Sequence, residues 1–276
     1  MDDTSIQAIE ISLFLEALYQ RHGYDFRNYA KASIKRRVLT LAAIHGQTVA
    51  DLIPRILHDD GFVTEAIAQL SVPVSEMFRD PIVFKTLRET ILPLLQTYPR
   101  INIWQAGCAT GEEIYSLAII LEEEGLLERA QIYATDINDI ALRKAEDGIF
   151  PVRYLPEYER NYKNAGGKTK LSDYYVANTE FMRLHERLRR KIVFAHHNLV
   201  SDGVFCEVQL ILCRNVLIYF NNDLQKKVLE LFHKSLVRHG FLCLGTRESK
   251  RAVEERQLFA AINRNCMIFQ KKGGEL

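Results

Sequence analysis

From about residue 100 onward, short apolar runs alternate with helical stretches. This alternation restricts the fold more than any other feature of the chain. INIWQAG (101–107) is β-like and EEIYSLAIILEEE (112–124) is helical. QIYATDI (131–137) is a strand, and NDIALRKAEDG (138–148) is a helix closed by glycine. Strands follow at KIVFAHH (191–197) and VQLILC (208–213), then a helix at 222–238, then strands FLCLG (241–245) and CMIFQ (266–270). The pattern predicts an α/β domain with a mainly parallel sheet and helices on both faces. Residues 1–70 carry no strand signal. Apolar residues recur there at helical spacing (Ile6, Ile9, Leu13, then Leu15 and Leu18), with Gly23, Gly46 and Gly61 as punctuation. Residues 149–190 break the rhythm and hold Tyr154, Tyr158, Tyr162, Tyr174 and Tyr175. That stretch is too long for an ordinary connection and reads as an inserted subdomain. The division expected is therefore 1–70, a helical domain, and 71–276, the α/β domain with its insertion.

Bulk properties narrow the function. A net charge of +1 over 276 residues gives no whole-chain attraction to nucleic acid or membrane, so any basic function is local. Cys108, Cys206, Cys213, Cys243 and Cys266 make an odd set without a C-x-x-C pair, which points to a reducing cytoplasm rather than a disulfide framework or zinc site. MDDTSIQAIE is acidic and lacks the features of a signal peptide, and no run approaches a membrane span. His196 and His197 read as loop residues, and no histidine has ligand spacing to cysteines or acids, so no metal is expected.

The chemistry concentrates at strand ends. In QAGCATGEE (105–113), Gly107 and Gly111 allow a tight turn and close approach to a ligand. Glu112 and Glu113 at the helix start would repel a pyrophosphate, whereas a ligand with cationic groups and hydroxyls fits, as S-adenosylmethionine does. The plain alternative is that both acids complement the helix dipole. Asp136, ending YATDIN (133–138), is placed to hold ribose hydroxyls, or else to cap the next helix. In ILCRNVLIYF (211–220) a guanidinium and an amide, Arg214 and Asn215, interrupt an apolar run. A buried charge needs a partner. Their place at a strand's carboxyl end suggests that they face a ligand cleft rather than the core. SVPVSEMFRDP (71–81) offers Arg79 and Asp80, which alone read as a surface pair before a helix. FRNYAKASIKRRVLT (26–40) reads as a basic helix with Arg27, Lys31 and Lys35 on one stripe and Ile34, Val38 and Leu41 on another. It carries Arg36 and Arg37 as well. It is either a solvated face or a dock for an acidic partner.

Taken in order, these stretches resemble the CheR family, chemoreceptor glutamate O-methyltransferases. SEMFRD (75–80) is similar to T-x-F-F-R-D, AGCATGEEIYSLA (106–118) to A-G-C-S-T-G-E-E-P-Y-S-I-A, and ATDIN to S-D-I-D. HNL (197–199) resembles the family's N-L pair, CRNVLIYF (213–220) resembles C-R-N-V-x-I-Y-F, and YAKASIKRR (29–37) is similar to its basic helix. Pro73, Ser75 and Met77 depart from the pattern. GTRES (245–249) stands where many members have G-H-S-E, and Thr40–Ala43 lacks a second basic cluster. The resemblance implies a helical domain, a Rossmann-like methyltransferase sheet and a small inserted β-subdomain. It implies that Ser75, Arg79, Gly107, Glu113, Asp136, Asn198, Leu199, Arg214 and Asn215 line the S-adenosyl-L-methionine site, with Tyr219 near the transferred methyl. Arg79 and Tyr219 are then the catalytic candidates, and Arg27, Lys31, Lys35, Arg36 and Arg37 the dock for acidic receptor helices.

The reaction so implied is methyl transfer to a glutamate oxygen. A glutamate with a pKa of about 4.3 is already ionised and needs no general base. Alignment and removal of water are then the enzyme's tasks. Two other readings exist: a nucleic-acid methyltransferase using the basic helix, and a non-catalytic cofactor-binding module. CRNV lacks the prolines of an N/D-P-P-Y/F motif, which counts against the first. Intact Glu113, Asp136, Arg214 and Tyr219 count against the second. The partners expected are receptor cytoplasmic helices, without nucleic acid or membrane insertion.

Overall fold

The computed structural model describes residues 3–249, 253 and 257–273. Four helices come first: α1 (Asp3–His22), α2 (Lys31–Ile44), α3 (Val49–His58) and α4 (Asp60–Leu70). Local chemistry starts two of them. The Thr48 side chain accepts from the Asp51 N–H while Asp51 accepts from the Thr48 N–H, a capping box for α3. Asp59 accepts from the Phe62 N–H and starts α4. The helices share a core of Phe14, Leu18, Val38, Leu41, Leu52 and Ile56. One expectation fails here. Ile6, Ile9 and Leu13 are 45–54% exposed, and the face α1 buries is Ile11, Phe14, Leu15 and Leu18.

Helix α5 (Pro81–Thr86), a π-turn (Leu87–Ile91) and α6 (Leu92–Leu95) lead into the sheet. The chain then runs β1 (Ile101–Ala106), α7 (Glu112–Glu123), β2 (Ala130–Asp136) and α8 (Asp139–Asp147). The insertion holds β3 (Ile149–Pro151), α9 (Leu155–Asn164), β4 (Tyr175–Ala177), β5 (Phe181–Leu184) and α10 (Glu186–Arg189). Strands β6 (Ile192–His196) and β7 (Val208–Cys213), helix α11 (Asn222–Ser235), and strands β8 (Leu236–Leu244), β9 (Phe259–Asn263) and β10 (Ile268–Lys271) complete it.

The large sheet has the order β6-β2-β1-β7-β8-β10-β9; its first five strands are parallel and the last two antiparallel. Period-two alternation sends Ile103, Leu210 and Leu212 to the face covered by α5 and α7, and Trp104, Ile211 and Leu242 to the face covered by α11. The insertion forms its own antiparallel sheet, β3-β5-β4. The expected fold class is thus borne out: a helical N-terminal domain, a Rossmann-like sheet and an inserted β-subdomain.

Two boundaries moved. Helix α11 stops at Ser235 because Leu236 already pairs with Val208 in the sheet, so residues expected to be helical to 238 are strand. Strand β9 was not anticipated, since FAAIN is half-exposed at the sheet's edge. Among the described residues no helix is long and apolar enough to cross a membrane.

Topology places the cleft. From β1 the chain proceeds to β2 and β6 on one side, and later reaches β7 and β8 on the other. Strand order therefore reverses between β1 and β7, and open α/β sheets bind ligands outside the carboxyl ends at such a point. The helical domain docks there. The Ala30 N–H donates to the Tyr219 carbonyl (2.7 Å) and the Asn221 N–H to the Asn28 carbonyl (2.9 Å). Asn138 Nδ2 donates to Ser71 Oγ (2.9 Å).

Candidate cofactor and acceptor site

Gly107 ends β1 with φ +76°, and a Cβ there would lie 2.5 Å from Val216 Cγ2. Only glycine permits this turn to pack under the β7 loop. Phe78, Asp80, Ala109 and Asn215 also have positive φ; Ala109 and Asn215 line the cleft, and Phe78 and Asp80 flank Arg79 of the recess beneath it. Left-handed backbone at non-glycine residues persists where surrounding structure holds it, commonly at functional sites.

Asp136, at the end of β2, accepts from the N–H groups of Ala109 (2.8 Å) and Asn138 (2.9 Å). Burial pushes its carboxyl above the ordinary value, and these N–H bonds offset part of that. Two such bonds leave carboxylate lone pairs free, and Asp136 lines the cleft. Glu112 is buried, accepts from the Thr110 hydroxyl (2.6 Å), and is pushed up by burial.

Arg214 differs from expectation. Its side chain is fully buried and pairs with Glu113 (2.5 Å) and Asp80 (2.7 Å), and it donates to the Arg79 carbonyl (3.1 Å). Burial would lower its pKa, but Glu113 and Asp80 hold it above the ordinary value. The reading that Arg214 escapes the core to face a ligand is therefore corrected: its counter-charges are internal. The same bond answers Glu113, whose other oxygen accepts from Gln105 Nε2 (2.8 Å). Glu113 is thus matched by a protein cation and not left for a ligand's. Nor are Arg79 and Asp80 a surface pair, since Asp80 is bound to Arg214.

The cleft encloses about 810 Å³ counted out to its open mouth. Gly107, Asp136, Asn198, Leu199, Asn215 and Tyr219 line it. A smaller recess beneath it is lined by Ser75, Arg79 and Glu113, and the two share Gly107, Arg214 and Asn215. All the predicted cofactor residues and Tyr219 therefore gather around one place. Asn198 also accepts from the Val200 N–H (3.0 Å), which shapes the turn after β6. His197, read as a loop residue, is buried in the cleft wall with its Nε2 against the Gly203 carbonyl (3.2 Å). His196 ends β6 and bonds Asp139.

The basic segment divides. Helix α2 begins at Lys31, so Arg27 is not on its stripe; it is bound to Asp25 and Glu16 (2.9 Å each) and lies 3.6 Å from the Tyr19 ring centroid. Arg37 points the other way, into the cleft, donating to the carbonyls of Gln69 (3.2 Å) and Ser71 (2.9 Å). Its guanidinium sits 5.9 Å from the Tyr219 ring centroid. Lys31 and Arg36 remain exposed, and Lys35 and Arg36 line a shallow outer groove with Leu39 and Thr40. The helical domain also contributes Tyr29, Ser33 and Ile34 to the cleft. Sequence reading missed them, although Ser33, Ile34 and Arg37 share one helical face.

Comparison with known proteins agrees with this geometry. Residues 73–266 match the family described as CheR methyltransferase, SAM binding domain, and residues 9–71 match CheR methyltransferase, all-alpha domain. The chain belongs to the CheR methyltransferase family. It is 49% identical over 264 residues to the Cher3 protein of Pseudomonas putida, covering 95% of this chain and 97% of that one. It is 28% identical to chemotaxis protein methyltransferases of Listeria monocytogenes (82% of this chain, 84% of the relative) and Borreliella burgdorferi (88% of each). The cofactor of this CheR protein is S-adenosyl-L-methionine. The cleft fits that group: Asp136 has lone pairs to spare for ribose hydroxyls, the Gly107 turn admits close approach, and Leu199 and Val216 offer apolar wall.

Proposed function

We propose that this protein methylates glutamate side chains on the cytoplasmic helices of chemoreceptors, acting in chemotaxis adaptation in the cytoplasm. The observation that carries this reading is the division of α2, with Arg37 turned into the cleft beside Tyr219 while Lys31, Lys35 and Arg36 face outward. An acidic acceptor would meet cations both where it docks and where it reacts. The names of the Listeria and Borreliella relatives support the same pathway.

Bound S-adenosylmethionine supplies an electrophilic methyl on sulfur. In this reading Asp136 holds the ribose, and Ser75, Gly107, Asn198, Leu199 and Asn215 shape the rest of the cofactor site. Glu113 and Arg214 act on it indirectly, by fixing one another. Arg79 and Arg37 orient the acceptor carboxylate, and Tyr219 closes the wall against water. An ionised glutamate needs no base, so positioning and water exclusion are the tasks left to the side chains. The helical domain (1–70) selects the acceptor and roofs the cleft of the catalytic domain (71–276, with 149–190 inserted).

The test is transfer of isotopically labelled methyl groups to receptor cytoplasmic fragments, with RNA as a parallel acceptor. Alkali-labile label on receptor glutamates is the expected result. Label on RNA with none on receptor would establish the nucleic-acid reading instead, and binding without transfer to either would leave a cofactor-binding module.

A further inference from the structure

Glu248 lies just past β8, outside the cleft lining, and is only 5% exposed. Its Oε1 accepts from the Val216 N–H (3.0 Å), while its Oε2 is buried without a hydrogen-bond partner and the N–H groups of Asn215, Leu217 and Ile218 act on the carboxyl only electrostatically. Asn215 is left-handed (φ +60°) and Val216 right-handed (φ −112°, ψ −51°). Successive N–H groups in such a pair converge on a concavity suited to an anion. Here the anion is a side chain of the protein.

The surroundings restrict that loop further. A Cβ on Gly245 would lie 2.7 Å from the Asn215 nitrogen, so β8 abuts the loop's backbone. Thr246 donates to Asp80 (3.2 Å), the counter-ion of Arg214. At the loop's far end the Ala30 N–H holds the Tyr219 carbonyl at 2.7 Å. The segment presenting Asn215 and Tyr219 to the cleft is therefore gripped from β8 at one end and from the helical domain at the other.

We propose that Glu248 is a positioning residue for methyl transfer, its buried carboxylate holding the Val216 N–H at the turn between Asn215 and Tyr219 and so fixing both in the cleft. This rests on the reading that Asn215 and Tyr219 meet the cofactor and the transferred group. It does not depend on which acceptor is methylated.

The experiment compares E248A and E248Q with N215A and Y219F as site controls, each followed by calorimetry with S-adenosylhomocysteine, steady-state kinetics and thermal melting. Glu248→Ala removes the acceptor and should weaken S-adenosylhomocysteine and lower kcat by about tenfold or more, the equivalent of one hydrogen bond to a charged acceptor. Glu248→Gln keeps one oxygen for the Val216 N–H and should fall between Glu248→Ala and wild type. KM for the acceptor should not move in either. Either folded variant with kcat and affinity within about twofold of wild type, whatever its melting temperature, overturns the proposal by reducing Glu248 to a structural role. If N215A and Y219F also behave as wild type, the site reading beneath it fails. If they are impaired while the Glu248 variants are not, only the positioning role fails.

Discussion

Arg214 offers the sharpest test of the site's electrostatics. Arg214→Ala removes a fully buried guanidinium from between Glu113 at 2.5 Å and Asp80 at 2.7 Å. The Asp80 side chain is 36% exposed and can recover water, but that of Glu113 is only 8% exposed and would remain as an uncompensated buried charge. Breaking a buried pair from one side costs about 3–5 kcal/mol. At about 2–4 °C per kcal/mol for domains of this size class, the melting temperature should fall by about 6–20 °C. Removing both charges in the R214M/E113Q double variant should restore about 1–3 kcal/mol relative to the sum of the single effects, because no orphaned carboxylate is left. Urea unfolding of the four proteins in the cycle gives the coupling directly. Calorimetry with S-adenosylhomocysteine on R214A, below its melting point, should show weaker binding as Glu113 and the Arg79 loop relax. A variant that melts within about 2 °C of wild type yet loses activity would refute the internal pairing and restore a cleft-facing arginine.

Three further outcomes follow from the same geometry. Asp136→Ala should weaken S-adenosylhomocysteine by about 1.5–3 kcal/mol in calorimetry, since a charged acceptor is lost; unchanged affinity would remove Asp136 from the ribose site. Reversing Lys31, Lys35 and Arg36 to Glu should raise KM for receptor at low salt and flatten its salt dependence between about 0.05 and 0.5 M, leaving cofactor affinity intact, whereas Arg27→Glu should leave KM unchanged and Arg37→Ala should act on kcat; equal effects from all of them would deny the division of the basic segment. Burial pushes the Glu248 carboxyl up to about 7 from an ordinary 4.5. Its neutral form is therefore favoured in the fold, so its contribution relative to E248Q is complete below about pH 4.5 and is lost as pH rises through about 7, a change of about 3 kcal/mol readable in paired melting curves at pH 5 and 8; a constant difference would contradict it.

How much of this was legible in the sequence depended on the range of the interaction responsible. The turn at Gly107, the acid ending β2 and the bounds of β7 are local: glycine, alternation and an abrupt polar residue declare them within a few positions. The partner of Arg214 is not local, because Glu113 and Asp80 stand 101 and 134 residues away. A charge in an apolar run announces that a partner exists without saying whether it is a ligand or another side chain, and here it is the latter. Helix α1 shows a second limit. Ile6, Ile9 and Leu13 satisfy helical spacing as Ile11, Phe14, Leu15 and Leu18 do, and only packing against neighbouring helices decides which set is buried. Arg27 shows a third. It lies one helical turn before Lys31, yet residues 26–30 do not continue the helix, because Tyr29 and Ala30 are taken up by backbone pairing with Phe220 and Tyr219. The contact that ends the basic stripe is thus the one that seats the helical domain on the loop after β7. Shortening the stripe brings Arg37 over the cleft and leaves Lys31, Lys35 and Arg36 outside. The cations facing the cleft and those facing solvent thus lie on opposite faces of a single helix.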